Sequence, residues 1–130
     1  MLNKGLRDEE SIRIDNVLKT LLSLVFVPKT EIQETESTIE TQLEKLGLTI
    51  ETLLNFSQKD LLEHLLSCHL DWNHLEEFAD FLIQFSKNSD NGQIDLSQKA
   101  VAIYEYIQQE SKTFSFEINI KIAAVKASLL

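Results

Sequence analysis

The amino-acid sequence predicts an all-α domain of six or seven helices in stacked antiparallel hairpins. Only three glycines and one proline occur among 130 residues, whereas an all-β fold needs many turns, which are rich in both. Apolar residues recur at spacings of three and four through most of the chain, as on the buried face of a helix. A hydrophobic content of 43% is enough for a packed core, and the length suits one domain over residues 1–130.

The first helix is predicted from about Glu9 to Val27, after a flexible segment of residues 1–8. Its apolar stripe widens from Leu21 onwards until nearly every side is apolar, and such a helix end is normally buried on several sides. We expect burial within the chain, with a homodimer through the Leu21 to Val27 region as the alternative. Pro28 ends the helix, because proline disfavours helical geometry at the residue before it.

Capping patterns divide the middle of the chain into further helices. A capping box from Thr30 to Gln33 opens the second helix, which ends at Gly47, a residue type favoured just after a helix. The next elements are predicted as a short turn over 50–55, a helix opened by Ser57, a helix from Asp71 or Asn73 to Lys87, and a helix from Asp95 or Ser97 to Glu110. The inward positions of the last two are predicted to be Leu75, Phe78, Ala79, Leu82, Phe85, Ala100, Ile103, Tyr104 and Ile107.

The C-terminal segment fits two patterns. FSFEINIKI, residues 114–122, alternates apolar and polar residues as a half-buried strand does. A helix from Ser115 would instead place Phe116, Ile120, Ala123, Ala124 and Ala127 on one face. No other segment alternates convincingly, so a strand would lack partners, and we predict a helix.

A faint internal repeat agrees with the hairpin arrangement. SQK occurs at 57–59 and again at 97–99, each time at a predicted helix start that is followed by a second helix. The spacing of 40 residues is typical of stacked helical repeats.

The run QKAVAIYEYIQQESKTFSFEINIKIAAVKASLL resembles the last helix pair of small, uncharacterised bacterial proteins with a tetratricopeptide-like fold. Ala100, Tyr104, Ala123 and Ala124 stand where such pairs use small and aromatic residues to pack. The segment LEKLGLTIETLLNFSQKDLLEHLL is similar in layout, so that the resemblance covers about residues 10–130. It implies a tetratricopeptide-like superhelix and no catalytic residues.

Composition excludes several classes of function. A net charge of −9 argues against binding nucleic acid or an anionic membrane surface, both of which need clustered Lys and Arg. The apolar stretch over residues 17–27 is too short for a membrane span, and the N-terminus lacks the form of a signal peptide. A single cysteine fits a reducing compartment, so we expect a cytoplasmic protein. The three glycines are isolated, so no phosphate-binding loop and no cofactor are predicted.

One short stretch concentrates the residues that could carry chemistry. EHLLSCHLDWNHLEE, residues 63–77, contains all three histidines, the only cysteine and the only tryptophan. His64 and Cys68 lie four apart on the predicted helix, and a zinc ion could be completed by Asp71 or His74. The spacing is not a standard zinc pattern, and His69 falls inside the stripe of Leu61, Leu62, Leu65 and Leu66. We interpret the cluster as hairpin packing and predict no metal site.

The most consistent functional hypothesis is a non-catalytic protein- or peptide-binding module in the bacterial cytoplasm. Its partner-binding candidates are Trp72 and Tyr106, because Tyr106 has no obvious partner within the chain and Trp72 is expected to be only partly covered at the first turn of its helix. The other interpretation of these two side chains is that both pack against neighbouring helices. The alternative is a metal-binding or Cys-dependent enzyme centred on His64, Cys68 and His74, in which Cys68 would be the nucleophile. A third hypothesis is a structural subunit that self-associates through its apolar first helix.

Overall fold

Seven helices make up the parts of the chain that the computed structural model describes, residues 2–25, 32–87, 93–111 and 115–128. They are α1 (Leu2–Val25), α2 (Ile32–Glu44), α3 (Ile50–Asn55), α4 (Gln58–Ser67), α5 (Trp72–Lys87), α6 (Gln93–Glu110) and α7 (Phe116–Ser128). No strand occurs within those ranges, which confirms the all-α class and excludes the strand over 116–122. None of these helices combines the length and the hydropathy that a membrane span needs.

Helix α1 begins at Leu2, earlier than the predicted Glu9, and thus includes residues for which the sequence predicts a flexible segment. Leu2, Lys4, Leu6 and Arg7 in this segment are good helix formers, whereas Asn3, Gly5 and Asp8 are weak ones. Leu21 is fully buried and Val25 is 5% exposed, so other helices of the same chain cover this part of α1. Phe26 and Val27 lie outside the described residues, and the homodimer through this region stays a prediction.

Helix α2 ends at Glu44, two residues before the predicted end at Leu46, and a turn over residues 45–47 follows, in which Gly47 is the predicted terminating residue. Gly47 has a φ of +73°, in the left-handed region, where a residue with a Cβ is strained. This turn lets the Leu48 amide donate to the Leu43 carbonyl at 2.9 Å and places the buried Leu48 side chain in the core. Part of the capping box from Thr30 to Gln33 lies outside the described residues.

Helices α5 and α6 form the most extensive helix pair and run antiparallel. The Ser86 and Ser97 hydroxyls are hydrogen-bonded at 3.0 Å near the connection, and further along the pair the Tyr104 hydroxyl donates to Asp80. All nine predicted inward residues of the two helices are buried. Helix α1 packs on α5, and α2 packs on α1. The core of the domain therefore lies around the α5–α6 pair.

Lys99 of α6 is buried, and its side chain caps the C-terminal end of helix α3. Its side chain is 2% exposed, and its ammonium donates to the carbonyls of Leu53 at 2.5 Å and Leu54 at 3.1 Å, while pairing with Asp95 at 2.7 Å. The last carbonyls of a helix have no partner inside that helix, so the ammonium supplies the hydrogen bonds that α3 lacks. A buried ammonium with three oxygen partners ties α6 to α3.

The two SQK segments are not structurally equivalent. Ser57 caps α4 as predicted, since its hydroxyl accepts from the Asp60 amide at 3.0 Å. Ser97 and Asp95 lie inside α6, which begins at Gln93, so the prediction that one of them caps this helix is wrong. The second SQK ends in the buried Lys99, whereas Lys59 is exposed. The 40-residue repeat therefore reflects local sequence and not a structural unit.

Helix α7 packs against the core with the face opposite to the one that the sequence predicts. Phe116 is 73% exposed and Ile120 is 62% exposed, and Ala123, Ala124 and Ala127 lie on the same exposed side. Ile118 and Val125 are the buried residues, and Ile122 packs against the core at the edge. The predicted buried face is wrong because α7 carries apolar residues at helical spacing on two faces. Packing against α6 decides which of the two is buried.

We expect Lys99→Met to lower the free energy of unfolding by about 2 kcal/mol, because it leaves the Leu53 and Leu54 carbonyls without their donor. Urea denaturation measures this loss. The matched control is Lys126→Met, which removes an exposed ammonium 3.8 Å from Glu105 and should cost much less. An equal loss of unfolding free energy in the two variants would contradict a role for Lys99 in capping the end of α3.

Candidate functional site

His64 and Cys68 serve the end of helix α2. The Nε2 atom of His64 lies 2.8 Å from the Leu46 carbonyl oxygen, and the Cys68 Sγ lies 3.4 Å from the same oxygen. A carbonyl oxygen only accepts, so Nε2 carries a proton and donates. The His64 ring also lies against Gly47, where an added Cβ would come within 3.3 Å of Nε2. The two side chains share one face, as predicted, and both are directed at a backbone oxygen.

The surroundings of Cys68 disfavour the thiolate. Burial raises the pKa of the Cys68 thiol, and although the Ser67 hydroxyl lowers it, the nearby Glu10 carboxylate raises it again. A nucleophilic cysteine needs the reverse, a depressed pKa in an electropositive setting. The geometry of Cys68 therefore gives no support to the Cys-dependent enzyme.

His69 lies outside helix α4, which corrects the prediction that it belongs to the leucine stripe. The helix ends at Ser67, and His69 has a φ of 68°, the left-handed conformation that a residue just after a helix adopts. Its side chain is 70% exposed and its Nδ1 lies 3.5 Å from Glu10 Oε2. Leu61 and Leu65 are the fully buried members of the stripe.

His74 caps the start of helix α5 together with Asp71. The His74 amide donates to Asp71 Oδ1 at 2.8 Å, and the Asp71 amide donates to His74 Nδ1 at 3.3 Å. This is a reciprocal capping box in which histidine takes the place of the usual Glu or Gln. Since Nδ1 accepts, a neutral His74 ring carries its proton on Nε2. Asp71, and not Asn73, is therefore the cap, and the imidazole is buried at 4% exposure.

The four side chains that suggested a metal centre are thus divided between two helix ends, the end of α2 and the start of α5. His64 and Cys68 share the Leu46 carbonyl, whereas His74 is engaged with Asp71. Within the described part of the chain, no group of three or more His, Cys, Asp and Glu side chains is placed to hold a metal ion.

The two aromatic candidates for partner binding contact one another. The ring centroids of Trp72 and Tyr106 are 6.0 Å apart, and Tyr106 is half-buried against the core. The alternative in which Tyr106 packs against a neighbouring helix therefore holds, because α6 brings it beside the first turn of α5. Trp72 remains 43% exposed, so one side of a supported indole ring faces solvent.

A groove of about 450 Å³ lies between α1 and α5. It is lined by Ser11, Ile12, Asp15, Asp71, Asn73, His74, Glu76, Glu77 and Asp80. Five of these nine residues are carboxylates, so the groove concentrates negative charge. Sequence analysis missed it because its walls come from helices far apart in the chain. The available signal was the spacing of Glu76, Glu77 and Asp80, which places all three on one side of a helix.

Glu77 is the least satisfied group of this groove. Among the described residues its Oε2 is the one buried side-chain oxygen or nitrogen without a hydrogen-bond partner. Burial raises the pKa of the Glu77 carboxyl and the Asp15 carboxylate raises it further, while His74 and Lys19 act in the opposite direction. One oxygen of this carboxyl group is therefore buried without a hydrogen-bond donor.

Lysine side chains neutralise only part of the negative charge on the other carboxylates of the groove. Lys19 pairs with Asp15 at 2.8 Å, and the Lys121 ammonium of α7 donates to Glu76 at 2.6 Å and to Asp80 at 3.1 Å. Burial lowers the pKa of Lys121, but the carboxylates of Glu76 and Asp80 outweigh burial, so the pKa is raised and the group stays an ammonium. No lysine or arginine in the described ranges pairs with Glu77.

The chain matches no protein-family model, no curated protein and no solved structure in the comparisons made with them.

We expect the purified protein to carry no stoichiometric zinc and to keep its melting temperature when a chelator is added. The reason is that His64 and Cys68 are engaged with the Leu46 carbonyl and His74 with Asp71. Elemental analysis and thermal denaturation check this. Equimolar zinc that is lost on His64→Ala or Cys68→Ser would restore the metal-site hypothesis.

We expect Glu77→Gln to be more stable than the original protein at pH 7, with an advantage that shrinks as the pH falls. The folded pKa lies above the ordinary 4.5, so the folded state binds more protons than the unfolded state just above that pH. The stability of the original protein therefore falls relative to the variant as the pH rises from about 4.5. Urea denaturation at several pH values measures the difference.

Glu63→Gln, at an exposed position of α4, is the control and should show no such pH-dependent gain. A Glu77→Gln variant that is destabilised at pH 7 would mean that the Glu77 carboxylate has a stabilising partner in solution.

Proposed function

We propose that the protein is a non-catalytic protein- or peptide-binding module whose α1–α5 groove takes a basic segment of a partner. The observation that carries the proposal is the buried Glu77 Oε2, an acceptor without a donor in a groove lined by five carboxylates. A buried polar atom without a partner is costly, and a cationic donor would remove that cost. A lysine or arginine side chain is the ligand chemistry that fits.

The chain itself contains an example of the proposed contact. Glu76 and Asp80, two of the lining carboxylates, hold the Lys121 ammonium at hydrogen-bonding distances. Charge-assisted hydrogen bonds of this kind are stronger than those between neutral groups. Ile12, 60% exposed in the opposite wall, offers apolar surface for the aliphatic stem of an incoming lysine or arginine.

Trp72 does not line the groove, but it stands four residues before Glu76, which does, so the two lie on one side of α5. Its indole is supported from behind by Tyr106, which limits the entropy lost on binding. A partly exposed, preorganised tryptophan is a favoured interface anchor. The binding-module hypothesis thus keeps Trp72 as a direct contact and gives Tyr106 a supporting place. A tetratricopeptide-like superhelix and a cytoplasmic location belong to the same proposal.

The test uses a capped tetralysine peptide, with a capped glycine–serine peptide of equal length as the ligand control. We expect saturable binding of tetralysine. Calorimetry and the fluorescence of Trp72, the single tryptophan of the chain, measure this binding. Affinity should fall with added salt, because the attraction is electrostatic and partly exposed.

The variant Glu77→Gln should weaken tetralysine binding roughly tenfold, the loss expected for one charge-assisted contact. Glu63→Gln keeps the same net charge as Glu77→Gln and serves as its matched control. Equal weakening in both variants would show non-specific attraction to an acidic protein, and no binding by the original protein would overturn the proposal.

A further inference from the structure

We infer that Lys121 of α7 is an autoinhibitory ligand of the groove, an ammonium of the chain's own that competes with the basic segment of a partner. The inference rests on the proposed function and adds how the same site is regulated. It is carried by two carboxylates, Glu76 and Asp80, which line the groove and also hold Lys121.

The contacts of Lys121 are those of a bound ligand at the margin of a site. Its ammonium lies 2.6 Å from Glu76 Oε2 and 3.1 Å from Asp80, and it stands 5.9 Å from the centre of the Tyr104 ring. Its side chain is one-third exposed, at 33%, so a solvent-borne cation can reach the same carboxylates. The Tyr104 hydroxyl also donates to Asp80 and keeps that carboxylate in place whether or not Lys121 is bound.

The Lys121 side chain makes a charged contact between α7 and α5. The apolar packing of α7 is made against α6 and buries Ile118 and Val125, while the more apolar side of the helix faces solvent. Its other described polar ties also lead to α6, through Gln108 to the Ser115 amide and through Glu105 to Lys126. Loss of the Lys121 contact would therefore remove a charged contact between α7 and α5.

Competition follows from charge. An ammonium or guanidinium that enters the groove and takes Glu76 or Asp80 stands close to the Lys121 ammonium, and like charges a few ångströms apart repel. The ligand and Lys121 therefore oppose one another at the shared carboxylates. Such coupling is reciprocal: Lys121 weakens ligand binding by the same factor by which the bound ligand weakens the Lys121 contact.

The first arm of the test compares tetralysine binding by the original protein and by Lys121→Met, which keeps the aliphatic stem and removes the ammonium. We expect Lys121→Met to bind roughly tenfold more tightly, because a competing cation has gone. Lys126→Met removes an equal charge from α7 outside the groove and controls for the change in net charge. A purely structural role for Lys121 predicts the opposite, since a loosened site binds more weakly.

The second arm needs no variant. Amide hydrogen exchange is measured in the original protein with and without saturating tetralysine, and we expect faster exchange in α7 and unchanged or slower exchange in α5 when the peptide is bound. This follows because the peptide displaces the Lys121 tie and leaves α7 less well protected.

The outcomes separate this inference from the proposed function. Tetralysine binding that is not tightened by Lys121→Met, or that leaves exchange in α7 unchanged, overturns the autoinhibitory role and leaves the binding groove standing. No binding by either the original protein or Lys121→Met overturns both. Tightening to the same extent in Lys121→Met and Lys126→Met would assign the gain to net charge and also overturn the role of Lys121.

Discussion

The peptide groups at the ends of short helices need hydrogen-bond partners, and this structure depends on side chains that supply them. Helix α3 has only six residues, so its last carbonyls need partners from elsewhere, and the buried Lys99 of α6 provides them. His64 and Cys68 serve the end of α2 in the same way. Because each of these donors belongs to a different helix from the end it serves, the hydrogen bonds also fix how helices meet. The unusual concentration of histidine and cysteine in residues 63–77 has its explanation here.

Helix order and the main inward faces could be predicted from the sequence, because they depend on local spacing. The nine predicted core positions of α5 and α6 are buried, and α3 matches its predicted range. Contacts across the chain could not be predicted. Lys99 and Leu53 are 46 residues apart, and His64 and Leu46 are 18 apart, so no local pattern connects them. On α7 the pattern offers two apolar faces, and only the position of α6 decides between them.

The candidate groove could not be predicted from the sequence for the same reason. Its carboxylates belong to two helices that lie far apart in the chain, and each helix by itself has the charged face of an ordinary surface helix. When α1 and α5 meet, Asp15 comes close enough to raise the pKa of Glu77. The sequence suggests a site at the histidine and cysteine cluster. In the structure the candidate site consists instead of the groove carboxylates, which form no sequence motif.

The proposed binding function accounts for a charge distribution on α5 that the attachment of α7 does not require. A helix that needed only to hold α7 would require one carboxylate opposite Lys121, yet Glu76 and Asp80 both contact it. Asp15 and Asp80 raise the pKa of Glu77, so these carboxylates act against one another in the folded chain. Like charges kept together without full compensation reduce stability, and a cation removes that cost when it arrives. Lys121 removes it in part, from a helix with a single apolar attachment. In the proposed mechanism, the balance between Lys121 bound to the carboxylates and a groove open to a partner is set by how well an outside cation competes with this one lysine.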